Sequence, residues 1–298
     1  MTLNDLGLDF GDLTSLVFAL VAAFLFAVGS QFQNIGLATL DSRSGTAISI
    51  SASAIYFWLL APFFMEPRYW LEPAVLIFVL IGLFRPALSA NLSVAGMRYL
   101  GPTLSSTLAA TSPLFGTAMG MLILGELLTW PLAIGTAGIV GAVLLLSKRG
   151  KVEVNWPVWA LGLPIAAAFL RSLGHVLSKI AMVDIPDPYF AGLVAFSVSA
   201  ILMVGTNKIR RVPVTIDWSS TGPRWFALGG ITLGTAIIFL NGALLRGDIV
   251  VVVPIIAVSP IFTMLLSIMI FRREILTTRT VATVFIVVTS VIVIALGR

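Results

Sequence analysis

LAATSPLFGTAMGMLILGE, residues 108–126, and IIAVSPIFTMLLSIMIFRRE, residues 255–274, are two pieces of one chain that read alike. Ser112-Pro113-x-Phe115 returns as Ser259-Pro260-x-Phe262 at a shift of 147, and the same shift lays Gly82 on Gly229 and Gly96 on Ala243. Glu126 and Glu274 close the two runs with one residue of slip, and a shift of 145 lays Gly29 on Gly174. Single matches between apolar helices carry little weight, because such helices draw on few residue types. An ordered set across four apolar runs carries more. It points to a duplication, with one unit at 1–150 and the other at 151–298.

Composition says where these units live. The 298 residues are 58% hydrophobic and 10% charged, with a mean hydropathy of +1.06. Soluble domains are about a quarter charged, so this chain cannot cover itself with a water-facing surface. It reads as an all-α integral membrane protein whose main partner is the lipid bilayer. The net charge of +5 is no nucleic-acid signal, because the basic residues stand at the ends of apolar runs rather than in one stripe. With no cysteine and one histidine, thiolate and His-cluster metal sites are excluded, and no cofactor is expected. The first residues, MTLNDLGLDFGDLTS, hold no Lys or Arg and no small-x-small cleavage site follows, so the first apolar run is expected to be retained.

A helix needs roughly 20 mostly apolar residues to cross the hydrocarbon layer. Breaks at charged, Pro and Gly clusters predict ten spans: 14–38, 45–65, 72–97, 102–124, 130–147, 157–182, 188–206, 223–245, 250–271 and 278–296. Five spans per unit is an odd number, so the second copy must enter the membrane upside down. That is the inverted-repeat plan of many secondary transporters, whose substrate site lies near mid-membrane between the repeats. Twelve Lys and Arg residues, from Arg43 to Arg279, fall on the side opposite the termini, against Arg68, Arg246 and Arg298 on the terminal side. The positive-inside rule then puts both termini on the non-cytoplasmic side, with a bacterial inner membrane as the expected location.

Pro113 and Pro260 fall mid-span, where each removes a backbone donor and releases a carbonyl one turn earlier. They read either as ordinary kinks or as hinge points in equivalent places of both halves. Gly116/Gly120 and Gly230/Gly234 have the GxxxG spacing of close helix packing. Ten spans, a five-plus-five duplication and a repeated S-P-x-F leading to a closing Glu resemble the drug/metabolite transporter superfamily, EamA-type, over essentially the whole chain. Within it the chain is most similar to bacterial aromatic amino acid exporters. The resemblance implies a central cavity built mainly from the first, third, fourth, sixth, eighth and ninth spans, with the fifth and tenth at the periphery. One departure stands out. Small multidrug members carry a glutamate in the first span, whereas this chain has Ser30, Gln31, Gln33 and Asn34 there, and none of its 13 acids falls mid-span.

The candidate site is the face Arg171, His175 and Lys179, at i, i+4 and i+8 of the sixth span. An Arg or Lys at the bilayer centre costs about 2.5–3.5 kcal/mol, so Arg171 and His175 are expected at a wet cavity or a helix interface. Lys179, near Asp184, can instead snorkel. The duplication lays Phe26, Ser30 and Asn34 on these three positions, and the two faces are expected to meet across a cavity. Arg85 opens a similar stripe with Ser89 and Ser93. Tyr56 and Tyr99 are candidate aromatic contacts, while Trp70, Trp130, Trp156, Trp159 and Trp225 sit at span ends as interfacial anchors.

A cavity with cationic and neutral groups but no acid suits a carboxylate, which a guanidinium holds in a bidentate pair. The expected function is export of small amphiphilic metabolites, aromatic amino acids first, by alternating access and without need of an oligomer. Multidrug or toxic-cation efflux is the main alternative, and it predicts an acid in the cavity. A phosphorylated-metabolite exchanger is a third reading, for which more than one deep Lys–Arg pair is expected. An enzyme is disfavoured because no nucleophile–His–acid set lies at depth.

Overall fold

The computed structural model describes residues 10–147, 157–209, 220–269 and 278–296, and every regular element among them is helical. In chain order these are α1 (Phe10–Gly36), α2 (Ser42–Phe64), α3 (Val75–Phe84), α4 (Ala87–Ala109), α5 (Ser112–Leu124) and α6 (Trp130–Ser147). Then come α7 (Gly162–Asp184), α8 (Pro188–Ile209), α9 (Gly222–Arg246), α10 (Ile249–Ile256), α11 (Ser259–Met269) and α12 (Thr278–Leu296). Seven stretches are long and apolar enough to cross a membrane, two of them running through helix breaks as Val75–Ser93 and Ile249–Met269. Three shorter apolar helices, Ser112–Leu124, Trp130–Leu145 and Val281–Leu296, accompany them.

Local chemistry sets most of these boundaries. Asp41 caps α2 by accepting from Ser44 N at 2.9 Å, and Asp187 caps α8 by accepting from Tyr189 N at 2.9 Å. Gly125 ends α5 in the left-handed region at φ 70°, where a side chain would be strained. The predicted spans split where proline removes a donor. The third breaks at Arg85-Pro86, the fourth between Ala109 and Ser112, and the ninth between Ile256 and Ser259. Pro113 and Pro260 therefore stand in the first turn of α5 and α11, where a missing N–H is tolerated, rather than inside a kinked helix. The chain still turns between the third and fourth spans although α4 runs through that region. A Cβ built on Gly96 would lie 3.0 Å from Ser105 Oγ, whereas nine residues of straight helix rise about 13.5 Å.

The most extensive pairing is α1 against α9, which run antiparallel. Gly36 lies opposite Gly222 and Gly29 opposite Gly229, each one's Cβ position about 3 Å from the other's carbonyl oxygen (3.0–3.2 Å). At the other end Ser15 Oγ donates to the Ala243 carbonyl at 3.1 Å. The end where α1 begins is called proximal below, and the opposite end distal. Helix α2 covers α9 through Ser49 and Ser53, whose hydroxyls donate to the Phe226 and Gly230 carbonyls, both at 2.7 Å. Gly116 and Gly120 of α5 take Val253 and Val250 of α10, and Gly230 takes the Ser49 backbone, so both GxxxG pairs are packing surfaces. Glu274, Trp156 and most of the basic residues read as marking the distal side (Lys148, Arg149, Lys151, Arg210, Arg211, Arg272 and Arg273) lie outside the described residues.

Candidate functional site

A cavity of about 890 Å³ lies between the two halves, lined from α1, α4, α5, α6, α7, α10 and α11 and by Arg85. Its wall is offset along the bundle. On α1 it takes Phe26, Gln31 and Asn34 from the distal half, and on α10 and α11 it runs from Val253 away to Ser267. The duplication is visible in the lining itself. Ala109, Ala110, Ser112 and Pro113 line it from one repeat, and Ile256, Ala257, Ser259 and Pro260, each 147 residues later, from the other. Both helix breaks thus face the same space. Pro113 and Pro260 have no N–H to give to the carbonyls of Ala109 and Ile256, the wall residues four positions earlier.

The charged part of the wall is cationic. Arg85, the residue that ends α3, folds onto α7 because Gly174 leaves it room, its Cδ 3.1 Å from where a Cβ would stand. On α7 itself Arg171 and His175 reach the cavity, one turn apart. Arg171 Nη1 donates to Ser93 Oγ at 3.3 Å. The Arg85 guanidinium makes no hydrogen bond or ion pair among the described residues, although the Arg85 carbonyl accepts from Ser199 Oγ at 3.0 Å, and His175 is buried with Nδ1 unpartnered among those residues. Among the described residues no carboxylate lines the cavity. The remaining polar wall is neutral. Gln31 Nε2 donates to the Thr263 carbonyl at 2.7 Å, tying α1 to α11, and Ser112 and Ser172 hydroxyls lie 3.2 Å apart, tying α5 to α7.

Other candidate residues have different surroundings. Lys179 does not reach the cavity. Its Nζ meets Glu126 Oε1 at 2.7 Å, the Gly247 carbonyl at 2.9 Å and Asp248 Oδ1 at 3.4 Å. Glu126 also accepts from Ile249 N (2.9 Å) and Val250 N (3.0 Å), so one carboxylate both pairs a lysine and caps α10. Snorkelling past Asp184 is replaced by this buried pair, because the turn before α10 brings a helix N-terminus and an acid to the same point. Ser30 turns back to its own helix, donating to the Phe26 carbonyl at 2.8 Å, and Ser89 does the same to Pro86 at 3.1 Å. Tyr56 accepts from Thr235 Oγ1 at 3.2 Å and packs on Phe57, and Tyr99 is half exposed with its ring against Trp159. Of the paired faces, then, Phe26 and Asn34 share the cavity with Arg171 and His175, whereas Ser30 and Lys179 do not.

The helix set differs from the expected one in two places. The fifth span, α6, contributes Val140 and Val143 to the wall, and the eighth, α9, contributes nothing among the described residues. The glycine pairs explain the second difference. With α1 and α9 in backbone contact along their length, no cavity can open between them. The signal for Glu126 was present in sequence as the closing residue of the repeated run, but its partners come from 53 and more than 120 positions away.

The sequence profile of the EamA-like transporter family matches residues 13–148 and again residues 158–296. Among curated proteins none matches the chain. A solved crystal structure superposes with a TM-score of 0.79 at 15% identity, covering 95% of this chain and 97% of its own, a likeness of fold alone. Two copies of the profile meet at one cavity bounded by equivalent breaks, with cations and no acid among the described residues of its wall. This chain belongs to the EamA-like transporter family, whose members are membrane transporters rather than enzymes.

Proposed function

We propose that the chain is a secondary transporter exporting small amphiphilic metabolites that carry a carboxylate, by alternating access through the central cavity. The observation that carries this reading is the pair Arg85 and Arg171, which line a cavity without a single acidic residue among the described ones. A guanidinium facing low-dielectric surroundings gains most from a bidentate oxyanion. A lipophilic cation would meet two like charges there, which disfavours multidrug or toxic-cation efflux. Aromatic amino acids, the class the sequence resemblance singles out, are one group of metabolites that carries a carboxylate. Among the described wall residues Phe26 supplies the apolar aromatic ring.

In this reading the three shorter helices complete ten crossings, the two repeats are inserted with opposite orientation, and both termini lie outside the cytoplasm of a bacterial inner membrane. The absence of cysteine makes sidedness testable with single-cysteine variants. Asp248→Cys at the proximal end should react with an impermeant maleimide added to whole cells, and Arg43→Cys at the distal end should not.

Substrate class is tested by thermal stabilisation of purified protein, followed by counterflow in liposomes. Stabilisation by carboxylates, with the aromatic amino acids in the panel, supports the proposal. Stabilisation by quaternary cations alone overturns it.

A further inference from the structure

We infer that the ligand of this cavity carries two negative charges, as a small organic dianion such as a dicarboxylate or a phosphate monoester, and that a zwitterion is the weaker fit. The inference rests on the reading above, that the cavity is the substrate site, and narrows its ligand by charge arithmetic.

Two guanidinium groups on different helices reach the same space, Arg85 from the end of α3 and Arg171 from α7. The Arg85 guanidinium has no hydrogen-bonding partner among the described residues, and that of Arg171 has one neutral partner there, the Ser93 hydroxyl. The two carboxylates that meet this face of α7, Glu126 and Asp248, lie at Lys179 outside the cavity wall, and Glu126 is further committed to the first two amides of α10. One carboxylate from a ligand therefore leaves the wall with an excess positive charge, and two anionic groups balance it. An amino acid would bring its carboxylate together with an ammonium. No acid among the described wall residues meets that ammonium, and the dipoles of neutral Ser, Thr, Asn and Gln residues or freed carbonyls are weaker partners than an ionised group.

Placement supports the same conclusion. Gly174 keeps the Arg85 side chain lying against α7 between the positions of Arg171 and His175. The next residue, His175, adds a buried nitrogen, Nδ1, that has no partner among the described residues. This is a wall prepared for several oxygens at once. At about 890 Å³ the cavity is roomy enough for such a molecule with an apolar body against Phe26, Val140 and Val253.

The experiment uses the full chain in detergent at pH 7.5 and a matched series with a phenyl body. The probes are phenylsuccinate and phenyl phosphate (dianions), phenylpropionate (monoanion), phenylalanine (zwitterion) and phenethylammonium (cation). Apparent Kd values from thermal stabilisation are expected about tenfold or more lower for at least one dianion than for phenylpropionate, with phenylalanine weaker again. The two dianions distinguish carboxylate from phosphate recognition. Arg85→Gln and Arg171→Gln should each bring the preferred dianion to the affinity of the monoanion. Where either fails to fold, Arg85→Lys replaces it, keeping the charge but losing the bidentate fork, and should weaken the dianion more than the monoanion. Phenylalanine binding as tightly as the dianions overturns the inference and leaves the carboxylate reading standing. Binding of phenethylammonium alone removes both.

Discussion

Separating Lys179 from Glu126 is expected to loosen the proximal end of the bundle, and the size of the effect follows from the contacts. The Glu126 side chain is 5% exposed and that of Lys179 23%. The carboxylate accepts from the ammonium at 2.7 Å and from two amides at 2.9 and 3.0 Å. Removing one partner of a buried pair costs about 3–5 kcal/mol. In Lys179→Met the two amide donors still compensate Glu126, so the expected loss is at the lower end or below, about 2–3 kcal/mol. Glu126→Ala removes all three bonds and leaves Ile249 and Val250 N–H unpaired at the start of α10, with an expected loss of about 3–5 kcal/mol. A double-mutant cycle through equilibrium unfolding in mixed micelles, followed by tryptophan fluorescence, isolates the pair. The double variant should be less destabilised than the sum of the singles by about 1 kcal/mol or more. Additivity within about 0.5 kcal/mol would refute the account of Glu126 as the point that joins α5, α7 and α10.

Three further outcomes follow from particular contacts. Gly230→Ala should destabilise by about 1–3 kcal/mol, because its Cβ would fall on the Ser49 backbone, and Gly141→Ala, with nothing within 4 Å, should be neutral in the same unfolding assay. Pro113→Ala and Pro260→Ala return an N–H beside the two helix breaks and release the fixed φ of a first-turn proline, so both should lower transport rate in liposomes. Unchanged transport would separate the breaks from the conformational cycle. The Asp41 carboxyl is held below its ordinary value of 3.8 by the Ser44 backbone N–H. A group so lowered contributes stability that is present above about pH 4 and lost as pH falls through its folded value. Asp41→Asn should therefore flatten the acid side of the stability profile between pH 5 and 3.

Much of the fold was legible because each signal was local. Apolar runs of about 20 residues require helices, since a single segment can satisfy its own backbone in lipid only as a helix, whereas barrel strands are shorter and alternate. Pro113 and Pro260 announced two equivalent breaks, and a repeated S-P-x-F announced two related halves. The basic residues at i, i+4 and i+8 of α7 left Arg171 and His175 either a wet cavity or a helix interface, and packing placed both in the cavity wall. The small residues of α1, α5 and α9 likewise read as packing surfaces, although not which helix each would meet.

What the chain alone could not decide was pairing between distant segments. Lys179 shares a helical face with Arg171 and His175, yet it serves a different purpose, because α7 rises past the cavity to where Glu126 and the start of α10 converge. Tyr56 and Tyr99 carry suitable rings and are turned elsewhere by Thr235 and Trp159. The glycine contacts of α1 with α9 close a route that the span count left open and shift the cavity wall onto α6. Periodicity along one helix says which residues share a face, but only the packing of helices tens of residues apart determines what that face meets.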